Sequence, residues 1–393
     1  MTNLKILESH PVQYHVPFFR ALIAEGVDIA VGYYHQGTAG RVAHDDGFGI
    51  DIAWDIDLLS GYPHRIFVAG TANYHWLEQI KVAPQLLSWA LRDRQTPLLL
   101  MGWFTELVWL IWLLRILSHA PIIVISETTP LSFAATPKPR WRIVLLRWLL
   151  QHTTANLFIG SRNRTFLREM GVPEERLFLV PYSIDNTRFR TEVKRCLPER
   201  HKLCKQYGLN PEMPTFLFSG KFINKKRPLQ LLEAYISAGL ADQAQLLYVG
   251  EGELRPQLEK RIQELGLRHV HLLGFFNQTQ MPLAYVLGEI LCLISEPTET
   301  WGLVVNEALA CGRPVIVTDT IGCSPDLVES ANGWVTPLDD HDQLTKTLLL
   351  AIERRAEWNK MGEIGRKKVA QNIFESMADS ISVALQFARD SWL

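Results

Sequence analysis

The sequence predicts an α/β protein made of two doubly wound parallel sheets. Three observations predict it. Its 393 residues exceed what one ordinary core organises, so two domains are the natural division. Short apolar runs alternate with longer helical patterns from residue 4 to 182, and again from 215 onward, as strand–helix–strand units do. Between these series, DNTRFRTEVKRCLPERHK (185–202) is polar and lacks strand character, which puts a junction near 185–205.

LKILES (4–9) reads as the first strand. Pro17 opens a helix that Gly26 ends, and VDIAVGYYH (27–35) is the second strand. PLLLMGW (97–103), a helix at 105–118 and PIIVISE (121–127) make one strand–helix–strand unit. A helix at 139–151, the strand ANLFIGS (155–161), a helix at 162–170 and the strand RLFLVPY (176–182) complete the first series. TFLFSGK (215–221), QLLYVG (245–250), HVHLLGF (269–275), ILCLIS (290–295) and RPVIVTD (313–319) are the strands of the second. The last pattern, 375–393, is a lone helix expected to cross back to the first domain. The expected division is 1–190, with 375–393 packed on it, and 191–374. Two such domains suit a ligand held in a cleft at the carboxyl ends of their strands.

Hydrophobic content of 47% and charged content of 21% fit a soluble globular protein, and a net charge of −1 gives no basis for a nucleic-acid partner. Cys196, Cys204, Cys292, Cys311 and Cys323 form no C-x-x-C pair and read as reduced structural thiols of a cytoplasmic protein. The N-terminal apolar run is too short for a secretion signal. LLLMGWFTELVWLIWLLRIL (98–117) is broken by Gly102, Glu106 and Arg115, so it reads as a strand and an apolar helix rather than a membrane span. No G-x-G-x-x-G follows any strand, which weakens a dinucleotide reading.

The chemistry concentrates in SEPTETWGLVVNEALACG (295–312). A strand ends at Ser295, a polar loop follows, and Trp301-Gly302 opens a helix that runs to about Cys311 before Gly312. Gly302 lets a ligand approach the first backbone N–H groups of that helix, a natural anion site. Glu299 lies beside the helix start and Glu307 about a turn and a half inside. An anionic centre flanked by hydroxyl-bearing rings, as in a nucleoside diphosphate sugar, satisfies all three features. Solvated helix acids are the plain alternative. In FSGKFINKKRP (218–228), Gly220, Lys221 and Lys226 leave another strand's carboxyl end, where two cations would neutralise a diphosphate.

Gly220-Lys221 with Lys226, YVGEGEL (248–254), HLLGFF (271–276), Glu299-x7-Glu307, PVIVTDTIGCSPDLV (314–328) and NGWV (332–335) follow in order. Over 176–350 the chain resembles the donor half of retaining family-four glycosyltransferases of the GT-B fold, two Rossmann-like domains facing a cleft. Lys221 stands where that family more often has arginine, keeping charge but losing a bidentate phosphate fork. The resemblance implies that Glu307 accepts hydrogen bonds from ribose hydroxyls and that Glu299 holds hydroxyls of the donor sugar. It implies that the N–H groups of Gly302 and Leu303, just after Trp301, meet the sugar or distal phosphate. Lys221 and Lys226 would stabilise the departing nucleoside diphosphate, and Phe275 and Phe276 would line the nucleobase pocket. No metal and no cofactor are expected: no D-x-D with flanking acids marks the donor half, and no His/Cys set has ligand spacing.

SHPVQYHVPFFRAL (9–22) and FGIDIAWDIDLLSGYPHRIF (48–67) resemble a bacterial subgroup with a His-Pro-x-Gln-Tyr loop. That loop leaves the first strand's carboxyl end, so His10 and Gln13 are candidates for the diphosphate or acceptor, and His15 reads as structural. Glu127 ends PIIVISE, where many relatives carry a histidine, and would orient the acceptor hydroxyl or the sugar; a hydrogen-bonded strand-end acid is the alternative. Trp89, Trp103, Trp109, Trp112, Trp141 and Trp148 cluster around PKPRWRIVLLRWLLQH (137–152), with Lys138, Arg140, Arg142 and Arg147. A basic, tryptophan-bearing amphipathic helix lies readily on an anionic membrane; a core helix with snorkelling arginines is the commoner outcome.

The reading is a glycosyltransferase moving a sugar from a nucleoside diphosphate donor to a hydroxyl acceptor, a lipid-linked one among the candidates, in polysaccharide or glycolipid synthesis. It would be cytoplasmic and peripheral at the membrane's inner face. The rivals are a sugar-nucleotide epimerase on the same fold and a catalytically silent binding relative.

Overall fold

All five residues of β1 (Leu4–Glu8) are buried, as befits the centre of a parallel sheet covered on both faces. The computed structural model describes residues 3–72 and 74–391. In chain order the strands are β1, β2 (Ile29–His35), β3 (Ala43–Asp45), β4 (Ile50–Ile52), β5 (His64–Val68), β6 (Leu98–Met101), β7 (Ile122–Ile125), β8 (Ala155–Phe158) and β9 (Leu177–Leu179). They continue with β10 (Thr215–Ser219), β11 (Gln245–Val249), β12 (Val270–Leu272), β13 (Ile290–Leu293), β14 (Val315–Thr318) and β15 (Gly333–Thr336).

The chain divides into two units. One holds 1–43, 56–183 and 372–393; the other holds 44–55 and 184–371. The first unit carries a seven-stranded sheet of order β5-β2-β1-β6-β7-β8-β9, with every pairing parallel. The second carries a six-stranded parallel sheet of order β12-β11-β10-β13-β14-β15. β3 and β4 pair only with each other. These are the two doubly wound sheets that the alternating pattern predicts.

The 98–117 stretch is β6 followed by the helix Glu106–Leu117, capped by the Thr105 hydroxyl, which accepts from Val108 N–H at 3.2 Å. Arg115 is buried, and its guanidinium donates to Thr96 O at 2.6 Å and Pro121 O at 2.7 Å. Backbone carbonyls thus pair with the terminal nitrogens of a buried cation, and burial lowers its pKa to about 10. Among the described residues no helix is long and apolar enough to cross a membrane.

Two features depart from the sequence reading, and the helical 185–202 stretch adds to it. Residues 64–91, given no element, form β5 and the helix Trp76–Leu91, which continues through Pro84. The polar stretch 185–202 is helical, with Asn186–Cys196 started by an Asp185 carboxylate that accepts from Arg188 N–H at 2.8 Å. Residues 44–55, expected in the first domain, pack with the second unit. The C-terminal helix Phe374–Asp390 lies in the first unit against the helix Val16–Ala24, with Phe387 5.2 Å from Phe178; residues 392–393 fall outside the described residues. None of the five cysteines is in a disulfide, and only Cys196 is not fully buried.

Candidate functional site

In the second sheet the strand order reverses between β10 and β13, the switch point at which doubly wound sheets bind ligands. The loop after β10 carries Gly220, Lys221 and Lys226; the loop after β13 carries Glu299, Trp301 and Gly302. Gly220 N–H donates to Val249 O at 3.0 Å, which ties the first loop to the end of β11. A Cβ on Gly250 would lie 1.9 Å from Gly220 O, so the first glycine of YVGEGEL is required by that close approach.

Lys226 Nζ sits 2.5 Å from Glu299 Oε2, and Lys225 Nζ is 3.7 Å from the same oxygen. The Glu299 side chain is 13% exposed. Burial pushes its pKa up, but Lys226 and then Lys225 outweigh burial and hold it below the usual carboxylate value of 4.5. A lowered folded pKa means the pair's stabilisation is full above about pH 4.5 and is lost as pH falls through the lowered value. The melting-temperature gap between wild type and Glu299→Gln should therefore stay constant from pH 7 to 5.5 and narrow below 4.5. A gap already narrowing between pH 7 and 6 would contradict the pairing.

Gly302, at φ +95°, caps the helix Leu303–Ala310, and a Cβ there would lie 2.8 Å from Leu293 Cδ2. Gly322 N–H donates to Glu299 O at 3.2 Å and Cys323 N–H to Trp301 O at 3.1 Å. The T-I-G-C segment thus clamps the glutamate loop. Trp301 is buried and donates from its indole to Asn306 Oδ1 at 2.9 Å, so its side chain anchors the loop from within. Glu307 is 1% exposed and accepts a hydrogen bond from the Tyr285 hydroxyl at 2.6 Å. Leu303 is half-buried at the helix start.

Lys221 Nζ lies 2.7 Å from Asp45 Oδ1 and 4.6 Å from the centre of the Phe48 ring. Phe275, after β12, packs edge-on to Phe48 at 4.9 Å and to Trp54 at 6.2 Å. Phe276 is buried against Tyr207. The structure thus gathers the donor-side candidates of the second unit on loops leaving β10, β12 and β13.

In the first sheet the order reverses between β1 and β6. The loop after β1 carries His10 and half-buried Gln13. His10 Nδ1 is 2.9 Å from Ser9 Oγ, and its ring stacks on His35 at 5.0 Å. Burial, helped by His10, lowers the His35 pKa to about 4, so His35 is neutral at pH 7. His15 pairs with Glu8 and lies 3.3 Å from the Tyr182 hydroxyl, which donates to Glu127 Oε1 at 2.5 Å. Burial disfavours the His15 cation, but Glu8 outweighs it and raises the pKa. The Tyr182 hydroxyl thus gives the Glu127 carboxylate a hydrogen-bond partner.

Among the described residues no group of three or more His, Cys, Asp or Glu side chains is arranged to hold a metal ion. Sequence reasoning gave no role to Asp45, Phe48, Trp54, Tyr182 or Tyr285. Each is distant in sequence from its partner, by 22 residues for Tyr285 and Glu307 and by 176 for Asp45 and Lys221.

Residues 199–368 match the family model described as glycosyl transferases group 1. That match covers 170 of the 393 residues, so it marks a likeness of this part of the chain to that family. The α-D-kanosaminyltransferase of Streptomyces kanamyceticus is 28% identical over 207 residues, covering 49% of this chain and 50% of that protein. The chain thus spans about half the length of that curated relative. Among solved structures, Anabaena Alr3699/HepE in complex with UDP superposes with a TM-score of 0.72 at 17% identity, covering 98% of this chain and 99% of that one. The same Anabaena protein in complex with UDP-glucose gives 0.70 at 16% identity, covering 98% and 99%. WaaG, a glycosyltransferase involved in lipopolysaccharide biosynthesis, gives 0.68 at 14% identity, covering 97% and 98%. At such identities the likeness is one of fold, and that fold is GT-B.

Proposed function

We propose that the protein transfers a sugar from a nucleoside diphosphate sugar to a hydroxyl acceptor with retention of configuration, in the assembly of a polysaccharide or glycolipid. The observation that carries this reading is the Lys226–Glu299 pair beside the capped start of Leu303–Ala310, with Glu307 buried further along the same helix, at the switch point of the second sheet. Glu307 takes the ribose hydroxyls, and the backbone of Phe275 and Phe276 meets the base. Lys221 and Lys226 take the diphosphate. As the glycosidic bond breaks, negative charge grows on the leaving phosphate, and fixed cations stabilise it more than they stabilise the bound donor. The Gly302 and Leu303 N–H groups face the sugar or distal phosphate, and Glu299 holds sugar hydroxyls while keeping Lys226 in place. His10, Gln13 and Glu127 serve the acceptor side. The two lysines supply the cationic charge, so this chemistry calls for no metal.

The test is incubation with a panel of nucleotide sugars, following nucleoside diphosphate release with and without candidate acceptors. Release that depends on one donor and rises with acceptor supports transfer. Conversion of the donor without release would mean an epimerase, and neither would mean a binding protein. The anomeric configuration of the product, read by NMR, decides retention.

The helix Arg140–His152 bears on location. It buries Leu146, Leu149 and Leu150 and exposes Trp141 (62%) and Val144 (68%), flanked by exposed Arg140 and Arg147. Arg142 pairs with Glu106 and faces the Trp109 ring, so it is less available to a membrane than the sequence suggested. The other five tryptophans of that cluster are buried or half-buried. We infer reversible attachment to an anionic membrane surface on the cytoplasmic side, each arginine contributing about 1 kcal/mol. The protein should cosediment with anionic liposomes at low salt and release at high salt. Arg140→Gln with Arg147→Gln and Trp141→Ala should abolish cosedimentation in a folded protein; wild type that ignores such liposomes at low salt would refute the attachment.

A further inference from the structure

The chain leaves the first unit after Ala43 and returns to it at Ile56; the residues between, 44–55, pack with the second unit. They form a strap fixed at both ends. At one end Gly47 N–H and Phe48 N–H donate to Asp45 Oδ1 at 2.9 and 3.0 Å, while Lys221 Nζ lies 2.7 Å from the same oxygen. A Cβ on Gly47 would lie 2.5 Å from Lys221 Nζ, so any larger residue there would have to push the lysine side chain aside. Phe48 lies beneath the ammonium and against Phe275. At the other end Asn277 Nδ2–H donates to Ala53 O at 2.6 Å and Thr279 N–H to the Asp55 carboxylate at 3.1 Å, while Trp54 packs on Phe275. The strap therefore bridges the loop after β10 and the loop after β12.

We propose that this strap is part of the donor site, and that Asp45 occupies, in the nucleotide-free protein, the place on Lys221 that a diphosphate oxygen takes when a nucleoside diphosphate binds. The proposal rests on the reading above in which Lys221 meets the diphosphate. Lys221 and Lys226 are each held by a carboxylate, but not alike. Lys226 and Glu299 are 16% and 13% exposed, whereas Lys221 and Asp45 are 32% and 24% exposed, so the second pair is the easier to exchange. Burial acts to raise the Asp45 pKa, but Lys221 and the Phe48 and Gly47 amides outweigh it and keep the carboxylate ionised at neutral pH. A diphosphate carries more charge than one carboxylate and engages Lys226 as well, so it displaces Asp45. The displaced pair weakens nucleotide affinity and favours ligands with enough phosphate charge to break it.

The experiment is calorimetry on the full chain with UDP, GDP, ADP and dTDP, and with the matching nucleosides. Asp45→Asn keeps the oxygen that accepts from Gly47 and Phe48, so the turn survives while the charge is lost. This variant should bind the preferred diphosphate roughly fivefold to tenfold more tightly, the size of a partly exposed ion pair. Nucleoside binding should not change. In a Lys221→Gln background the same substitution should give no gain, because the partner of Asp45 is already gone. Unchanged or weaker diphosphate binding in Asp45→Asn overturns the proposal, as does an equal gain without Lys221. If wild type binds none of the four diphosphates, the donor-site reading itself fails and this proposal with it; if wild type binds one and Asp45→Asn gives no gain, only the role of the strap is lost.

Discussion

Lys226→Ala is expected to lower turnover about a hundredfold or more, with a much smaller change in donor affinity. The diphosphate gains charge as the glycosidic bond breaks, so a cation beside it contributes most in the transition state. The structure adds a second loss. Lys226 is the nearer of the two cations on Glu299, and without it that largely buried carboxylate keeps only Lys225 at 3.7 Å. The glutamate would then take up a proton more easily or turn away, loosening its hold on the sugar. Lys226→Arg separates the two effects: it restores charge to Glu299 but places it with different geometry at the phosphate. Steady-state kinetics with the donor found by the panel is the measurement. A variant that changes only the Michaelis constant would mean uniform binding, and the transition-state role would be wrong.

Where the candidate residues of the second unit sit was legible in the sequence because their spacing is local. Lys221 and Lys226 share one loop, Glu299 and Glu307 share one loop and helix, and glycines mark the close approaches at 250 and 302. What was not legible is what distant segments bring in. Tyr285 reaches Glu307 from another helix, and Asp45 reaches Lys221 from a segment that sequence order assigns to the other domain. Periodicity carries no information about such meetings. β5 is short and half-exposed at the sheet edge, so its apolar pattern is weak. The helix Trp76–Leu91 holds Pro84, which ordinarily reads as a breaker. In the first unit His15 looked structural on its own; only the fold shows it in series with Glu8, Tyr182 and Glu127. The loop after β1 was legible as a switch-point loop, but not the stacking of His10 on His35, whose partner lies on the neighbouring strand.

Glu307→Ala is expected to weaken binding of the correct nucleoside diphosphate by about 1.5–3 kcal/mol, or roughly tenfold to a hundredfold, because a charged acceptor for ribose hydroxyls is lost. The position of Glu307 complicates a simple deletion. It is buried, and it accepts from the Tyr285 hydroxyl, so alanine also removes that hydroxyl's partner and should lower stability by about 1–3 kcal/mol. Glu307→Gln retains an acceptor for Tyr285 and nearly the same volume, and loses only the charge. Its stability should lie nearer wild type than that of the alanine variant, while its nucleotide affinity still falls. Tyr285→Phe should do the converse in part, leaving the carboxylate in the helix but freeing its orientation. The ribose itself supplies the control. Wild type should bind the 2′-deoxynucleoside diphosphate more weakly than the ribonucleotide, and Glu307→Ala should bind the two alike, since the group that tells them apart is gone. A folded Glu307→Ala protein that still prefers the ribonucleotide by the wild-type margin would show that the ribose is held elsewhere, and the glutamate would then be a structural acid fastened by Tyr285.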